Sequence, residues 1–207
     1  MGPLSVVIPT LDEAERLPRL LEDLRALDDV IGEVIVVDGG SRDGTVAVAR
    51  QDGATVVESD PGRGHQLRAG GRAAQGAWLF FVHADCRLPP ASAKALRRFL
   101  ETAPSDDFAH FRFELEGTGP FVHLTEFGQR LRERLYGLVY GDQGLVVSRS
   151  LYQRVDGHPE WPLMEDVGVI DRLEEVGRRV ALDAALPTSA RRYAREGGFR
   201  AWLRNVT

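Results

Sequence analysis

Trp78-Leu79-Phe80-Phe81-Val82-His83-Ala84-Asp85-Cys86 is the stretch on which the fold turns. Five apolar residues in a row, then a sudden acid, read as a buried strand of a parallel sheet. A strand covered on both faces shows a continuous apolar run rather than alternation. Asp85 then falls at the carboxyl end of that strand, with His83 two residues earlier on the same strand face. That edge is where open α/β sheets take their ligands.

Working back towards the N-terminus, the same strand–helix rhythm repeats. Leu4-Ser5-Val6-Val7-Ile8 is short and β-branched, and Pro9 is expected to end it. Leu17, Leu20, Leu21, Leu24 and Leu27 follow at helical spacing, with Pro18 in the first turn and Leu11 to Arg16 as a separate bend. Glu33-Val34-Ile35-Val36-Val37-Asp38 is a second strand that also ends in an acid. Gly39 to Gly44 is a turn-rich loop, and Thr45 is placed to cap a short helix through Ala49. Ala54 to Glu58 is a third strand, and Pro61-Gly62-Arg63-Gly64 leads into a small-residue helix from His65 to Gln75. This order predicts an α/β fold with a mostly parallel central sheet and flanking helices.

Working forward, Ala91 to Thr102 reads as a helix behind Pro89-Pro90. Ala109, Phe111, Phe113 and Leu115 alternate with His110, Arg112 and Glu114, the pattern of a half-exposed antiparallel strand. Phe121 to Tyr140 has helical periodicity. Leu145 to Val147 is a short strand, a helix lies near Leu151, another runs from Glu165 to Val176, and Val180 to Leu182 is the last strand. The tail from Ala190 is basic and amphipathic. Neither repeats nor a low-complexity linker interrupt the chain, so 1–207 reads as a single domain with an antiparallel C-terminal portion.

Composition narrows the function. A length of 207 residues allows one well-buried core, and 43% hydrophobic with 28% charged residues is ordinary for a globular chain. A net charge of −5 gives no basic surface for nucleic acid. The lone cysteine, Cys86, excludes an internal disulfide framework and suits a reducing compartment; it reads as a small buried filler. No run approaches the roughly 20 apolar residues of a membrane span, and the N-terminal apolar run is too short for a signal peptide. The expectation is a cytoplasmic protein. Its basic tail suits contact with an anionic membrane surface or a partner subunit, including a second copy.

The acids at strand ends carry the chemistry. Asp38 and Asp85 should share one edge of the sheet, where a carboxylate can accept from a ribose or base, or hold a metal. Either alone is as readily a loop cap. Asp43, in an Asp-Gly pair, reads as turn chemistry. Arg63 between two glycines ahead of a helix can bring a cation and backbone N–H groups to a diphosphate, although the pattern is neither a Walker loop nor a dinucleotide fingerprint. Arg68, further along that helix, reads as solvated. Asp85 alone cannot cage a metal, but magnesium commonly takes one or two carboxylates and completes its shell with water and phosphates; His83 would suit manganese as a neighbour. Glu165-Asp166 opens a helix, where the macrodipole favours acids whatever their use. Adjacent helical residues diverge by about 100°, so one of the two should face a cleft. Gly141-Asp142-Gln143-Gly144 reads as a turn or an acceptor-binding rim.

Together these residues resemble the family 2 glycosyltransferases of the GT-A fold. The matching pieces are Val7-Ile8-Pro9-Thr10-Leu11-Asp12-Glu13, Val36 to Thr45, Gly62-Arg63-Gly64, His83-Ala84-Asp85 at the place of an Asp-x-Asp motif, Gly141-Asp142-Gln143, and Glu165-Asp166. They span Leu4 to about Tyr193. The short His83-Ala84-Asp85 form is similar to that of a small bacterial subgroup.

The resemblance implies a Rossmann-like fold and a role for each matched residue. Pro9, Asp12, Glu13 and Asp38 line the nucleoside pocket, Arg63 and His83 approach the nucleotide, and Asp85 holds Mg²⁺ or Mn²⁺ against the diphosphate. Asp166 is the general base for an attacking acceptor hydroxyl, Glu165 orients it, and Gly141, Asp142 and Gln143 meet the acceptor. Residues 1–103 bind the nucleoside-diphosphate sugar and 104–207 the acceptor, with inversion at the anomeric carbon. Ser189-Ala190-Arg191-Arg192-Tyr193 keeps only the arginine of the processive members' Gln-x-x-Arg-Trp motif, so a processive synthase is not expected. A nucleotidyltransferase would want a glycine-rich basic loop after the first strand, where this chain has Pro9 to Glu13. A silent nucleotide-sugar binding protein leaves Asp85 together with Asp166 unexplained, and a structural α/β domain leaves all the strand-end acids so.

Overall fold

The structure, a computed structural model, describes residues 2–117, 122, 125, 126, 128 and 141–189. Most of the helix expected over Phe121 to Tyr140, and the basic tail from Ala190, lie outside the described residues. Within them, seven strands form one sheet in the order β3-β2-β1-β4-β6-β5-β7. The strands are β1 (Leu4–Thr10), β2 (Ile31–Asp38), β3 (Thr55–Glu58), β4 (Trp78–Phe81), β5 (Asp107–Leu115), β6 (Leu145–Ser148) and β7 (Arg178–Thr188). The first four run parallel, and only β6 is reversed against its neighbours β4 and β5. β5 and β7 are parallel to each other, so the antiparallel portion is narrower than expected.

The strand alternation sorts the core into two layers. Val6, Ile8, Phe80, Val82 and Val146 face one side, under α1 (Leu17–Leu24), α2 (Thr45–Gln51) and α4 (Pro90–Thr102). Val7, Val37, Leu79, Phe81 and Val147 face the other, under α3 (Arg63–Ala73), α5 (Arg149–Arg154) and α6 (Glu165–Glu174). The leucine stripe of α1 is wholly buried at Leu17, Leu20, Leu21 and Leu24. Each such side chain contributes about 1.5–3 kcal/mol of burial. The small residues of α3 have a steric cause: a Cβ on Gly70 would lie 2.3 Å from Val7 Cγ1, so the helix sits directly on the sheet.

Several boundaries differ from expectation. Pro9 lies inside β1, because its missing N–H points towards β4, whose pairing with β1 has already ended at Val7. Thr45 is the first residue of α2 and Gly44 its N-cap, while Asp43 Oδ1, one residue earlier, accepts the Thr45 N–H at 2.9 Å. The α3 helix starts at Arg63, two residues before His65. His110 is buried, not exposed: it shares the face of Phe108, and that face is still covered there, with Gln143 Nε2 3.5 Å from His110 Nδ1.

Candidate active site

The carboxyl ends of β1, β2 and β4 define the site. β4 stops at Phe81, so His83 and Asp85 stand in the loop after it and not on the strand. That loop turns tightly, with the Cys86 N–H donating to His83 O at 3.1 Å. It is stitched to the end of β7, where Cys86 bridges Thr188 and the Ser189 N–H reaches Asp85 O at 3.2 Å. Cys86 is the buried filler expected, its thiol pushed well up by burial. Sequence reasoning placed Asp85 on the correct edge by the wrong element.

On the β1–β2 side the aspartates accept hydrogen bonds from the loops around them. Asp38 Oδ2 accepts the Gly40 and Ser41 N–H groups at 3.0 and 2.9 Å, and Oδ1 accepts Thr10 Oγ1 at 3.3 Å and the Ser41 hydroxyl. Asp12, at φ +55, receives the Arg42 N–H at 2.7 Å, and its own N–H donates to Ser41 Oγ at 3.0 Å. The Glu13 N–H donates to Thr45 Oγ1 at 2.8 Å. Asp43 accepts from Thr45 and from the Ala14 N–H; its slight burial works against the charge, and these hydrogen bonds outweigh it and hold the carboxyl below its ordinary value. The turn reading of Asp43 is therefore what the structure shows. Gln66, buried on α3, was missed: its Nε2 donates to Thr10 O at 2.7 Å and Val37 O at 2.9 Å, fixing the ends of both strands. A buried glutamine leaves no signal in a helical pattern beyond breaking its apolar face.

The other side gathers acids around the Arg63 guanidinium. Arg63 opens α3 behind Gly62, whose φ of +130 only glycine adopts easily. Gly64 lets that helix end meet a neighbouring loop, since a Cβ there would lie 2.5 Å from Pro159 O. Arg63 Nε then sits 3.0 Å from Glu165 Oε1. Burial opposes the Arg63 charge, and the carboxylates of Asp166, Glu165, Asp142 and Asp85 more than restore it. Met164, in the left-handed region at φ +67, turns the chain into α6 so that both acids enter the cluster. That conformation costs of order 1 kcal/mol for a residue with a side chain. Glu165 is buried against Arg63, and Asp166 is the one that faces the opening.

Gly141 is the hinge pin of this cluster. Its N–H donates to Asp166 Oδ2 at 3.0 Å, and a Cβ on it would lie 2.5 Å from that oxygen and 2.6 Å from His83 Nε2. His83, Gly141 and Asp166 thus touch, although 83 residues separate the first from the last. Burial pushes the Asp166 carboxyl up to about 7, helped by Glu165 and Asp142 and opposed by Arg63 and the Gly141 N–H. The Gly141–Gln143 segment is a 3-10 turn in which Asp142 is half-buried and Gln143 points inward, its Nε2 donating to Phe111 O at 3.2 Å. Arg68 is no solvated bystander: it donates to Asp156 O at 2.7 Å and His158 O at 3.1 Å, and pairs with the Asp156 carboxylate at 2.8 Å. Among the described residues no three acids, histidines or cysteines come close enough to hold a metal by themselves. A lone carboxylate such as Asp85 can hold a divalent cation only where water and a substrate's phosphates complete the shell. No helix among the described residues is long and apolar enough to cross a membrane.

Known proteins share this arrangement of chain. In Haloferax volcanii, the glycosyltransferase AglJ is 30% identical over 140 residues, which cover 67% of this chain and 45% of that protein. A low-salt glycan biosynthesis hexosyltransferase of the same organism is 30% identical over 169 residues, covering 78% of this chain and 40% of its own. The chain thus spans less than half the length of these relatives. The crystal structure of S. aureus TarS superposes with a TM-score of 0.70 at 19% identity, over 92% of this chain and 61% of that one. The mannosyltransferase PcManGT from Pyrobaculum calidifontis, in complex with GDP-Man and Mn²⁺, gives 0.68 at 23% identity, over 89% and 56%. These neighbours establish the GT-A fold. The model of the family described as "Glycosyl transferase family 2" matches residues 5–153, and with the fold and the acid cluster in place, the chain belongs to that family.

Proposed function

We propose that the protein is an inverting, non-processive glycosyltransferase that moves a hexosyl group from a nucleoside-diphosphate sugar to an acceptor hydroxyl. The observation that carries this reading is Asp166, a carboxylate facing an opening, with burial lifting it to about 7. A general base works best with its pKa near the working pH. The acceptor O–H gives its proton to the Asp166 carboxylate as its oxygen bonds to the anomeric carbon, and the bond from that carbon to the diphosphate oxygen breaks on the opposite face. Glu165, bound to Arg63, keeps that guanidinium beside the base. Gly141 and Asp142 form the acceptor rim, with Gln143 securing their turn from behind.

The donor lies over the ends of β1, β2 and β4, with the nucleoside against Pro9, Asp12, Glu13 and Asp38 and the diphosphate towards Arg63 and His83. Asp38 there acts through the loop it shapes, since both its oxygens already accept hydrogen bonds. Asp85 would hold Mg²⁺ or Mn²⁺, which when bound neutralises charge on the leaving diphosphate; the GDP-Man and Mn²⁺ of the mannosyltransferase complex support that choice. Residues 1–103 serve the donor and 104–207 the acceptor, in a cytoplasmic protein. Thermal shift with UDP, GDP, CDP and TDP sugars, with and without Mn²⁺, tests the donor site. A metal-dependent rise with one nucleotide, lost in Asp85→Ala, is the expected result. Turnover by Asp166→Asn at the wild-type rate would remove the assigned base.

A further inference from the structure

His158 stands behind Asp166, and neither strand-end acids nor motif spacing pointed to it. The turn after α5 holds it. Asp156 and Gly157, both with positive φ at +57 and +65, fold the chain back so that the His158 N–H donates to Tyr152 Oη at 3.1 Å. The same hydroxyl lies 2.9 Å from His158 Nδ1. Tyr152 is itself clamped: a Cβ on Gly71 or Gly157 would lie 2.5 or 2.8 Å from its ring. Its oxygen receives the backbone N–H, and when its own proton goes to Nδ1 the imidazole proton is left on Nε2. The ring edge rests on Phe81 at 4.7 Å between centroids, and Arg68 holds the His158 carbonyl at 3.1 Å. Nε2 is then 3.9 Å from Asp166 Oδ1. A cavity of about 10 Å³, bounded by both residues with His83, Gly141 and Phe81, lies there. That is about the room of one water.

We propose that His158 is a positioning residue for the base: Tyr152 sets the tautomer by donating to Nδ1, and the Nε2–H donates through one water to Asp166 Oδ1. The carboxylate is then held from two sides, Oδ2 by the Gly141 N–H and Oδ1 through that water by His158, 3.9 Å away. Burial pushes the imidazole down to about 3, so it is a neutral donor throughout the working range rather than a switch. Among the described residues, the other groups facing Asp166 are Glu165 on its own helix, Arg63 on α3, Asp142 on the 3-10 turn and, across Gly141, His83. The role rests on Asp166 being the base, while the grip itself is a property of the resting protein.

A titration of the Asp166 side-chain carboxyl by ¹³C NMR therefore tests it without turnover. His158→Phe keeps the aromatic packing and removes the donor, and the midpoint should rise by about half a unit or more. His158→Gln, which keeps an N–H, should return part of the shift, and Tyr152→Phe should raise the midpoint less than His158→Phe. An unchanged midpoint in His158→Phe, or no recovery in His158→Gln, overturns the proposal even if both variants melt early. Release of UDP or GDP from UDP-glucose or GDP-mannose gives the second reading: His158→Phe should lose about 10-fold in kcat at constant donor KM. If Asp166→Asn releases nucleotide as fast as wild type, the base assignment fails, and the NMR result stands apart from it.

Discussion

The two halves of the site treat their carboxylates in opposite ways. At the ends of β1 and β2, the carboxylates of Asp12, Asp38 and Asp43 accept backbone N–H or hydroxyl groups from loops close by, and Asp43 is held below its ordinary value. Around α6, among the described residues, four acids draw on the Arg63 guanidinium, and Asp166 rises to about 7. A carboxylate accepting several N–H bonds is stable as an anion and does scaffold work; one buried with too little positive charge is ready to take a proton. The first group shapes the cleft and the second can do chemistry in it.

The sharpest way to break this contrast is to neutralise one acid from the second group. Asp166→Asn should lower kcat by roughly 100- to 10,000-fold while the melting temperature holds or rises, because a crowded buried charge has gone. A fall in melting temperature that accounts for the activity loss would place Asp166 among the scaffold acids. Arg63→Met removes the shared cation and leaves Glu165 buried without it, at a cost of about 3–5 kcal/mol in urea unfolding. Adding Glu165→Gln to that variant should recover a good part of the loss, and no recovery would mean that the pair was not balanced by charge. Gly141→Ala pushes its methyl into Asp166 and His83, and a displacement of that size should cut kcat by up to about 100-fold in a nucleotide-release assay.

Stability against pH separates the two groups by sign. Asp166 holds its proton more tightly in the folded state, so its contribution is complete at low pH and is lost as pH rises from about 4 to about 7. Asp43 is the reverse, contributing above its unfolded value and losing that contribution as pH falls below it. Unfolding free energies measured from pH 3 to 8 should show the alkaline loss flattened in Asp166→Asn and the acid loss flattened in Asp43→Asn. The smallest effect is expected of Asp43→Ala, about 1 kcal/mol for a lost hydrogen bond at the start of α2, with kcat unchanged.

Within the sequence, the parallel half of the sheet was legible because both of its signals are local. Apolar runs such as Val34 to Val37 report strands buried on two faces, and the α1 leucines report a helix lying on a sheet. The edge bearing Asp38 and Asp85 followed from chain direction alone. The β5 pattern misled because Gln143, far along the chain, covers His110 on the face expected to be exposed. Arg68 and Gln143 misled for the same reason: their partners, at Asp156 and Phe111, lie far along the chain.

What the sequence determined by itself is therefore the α/β order, the family motifs and the identity of the acids. Tertiary structure alone decided what each acid does, because a carboxylate's proton affinity depends on burial and on the charges and donors around it. Asp38 and Asp166 look alike as single letters near element ends. One meets Gly40 and Ser41 from its own loop; the other meets Glu165, Arg63 from α3, Gly141 from the 3-10 turn and, behind it, His158.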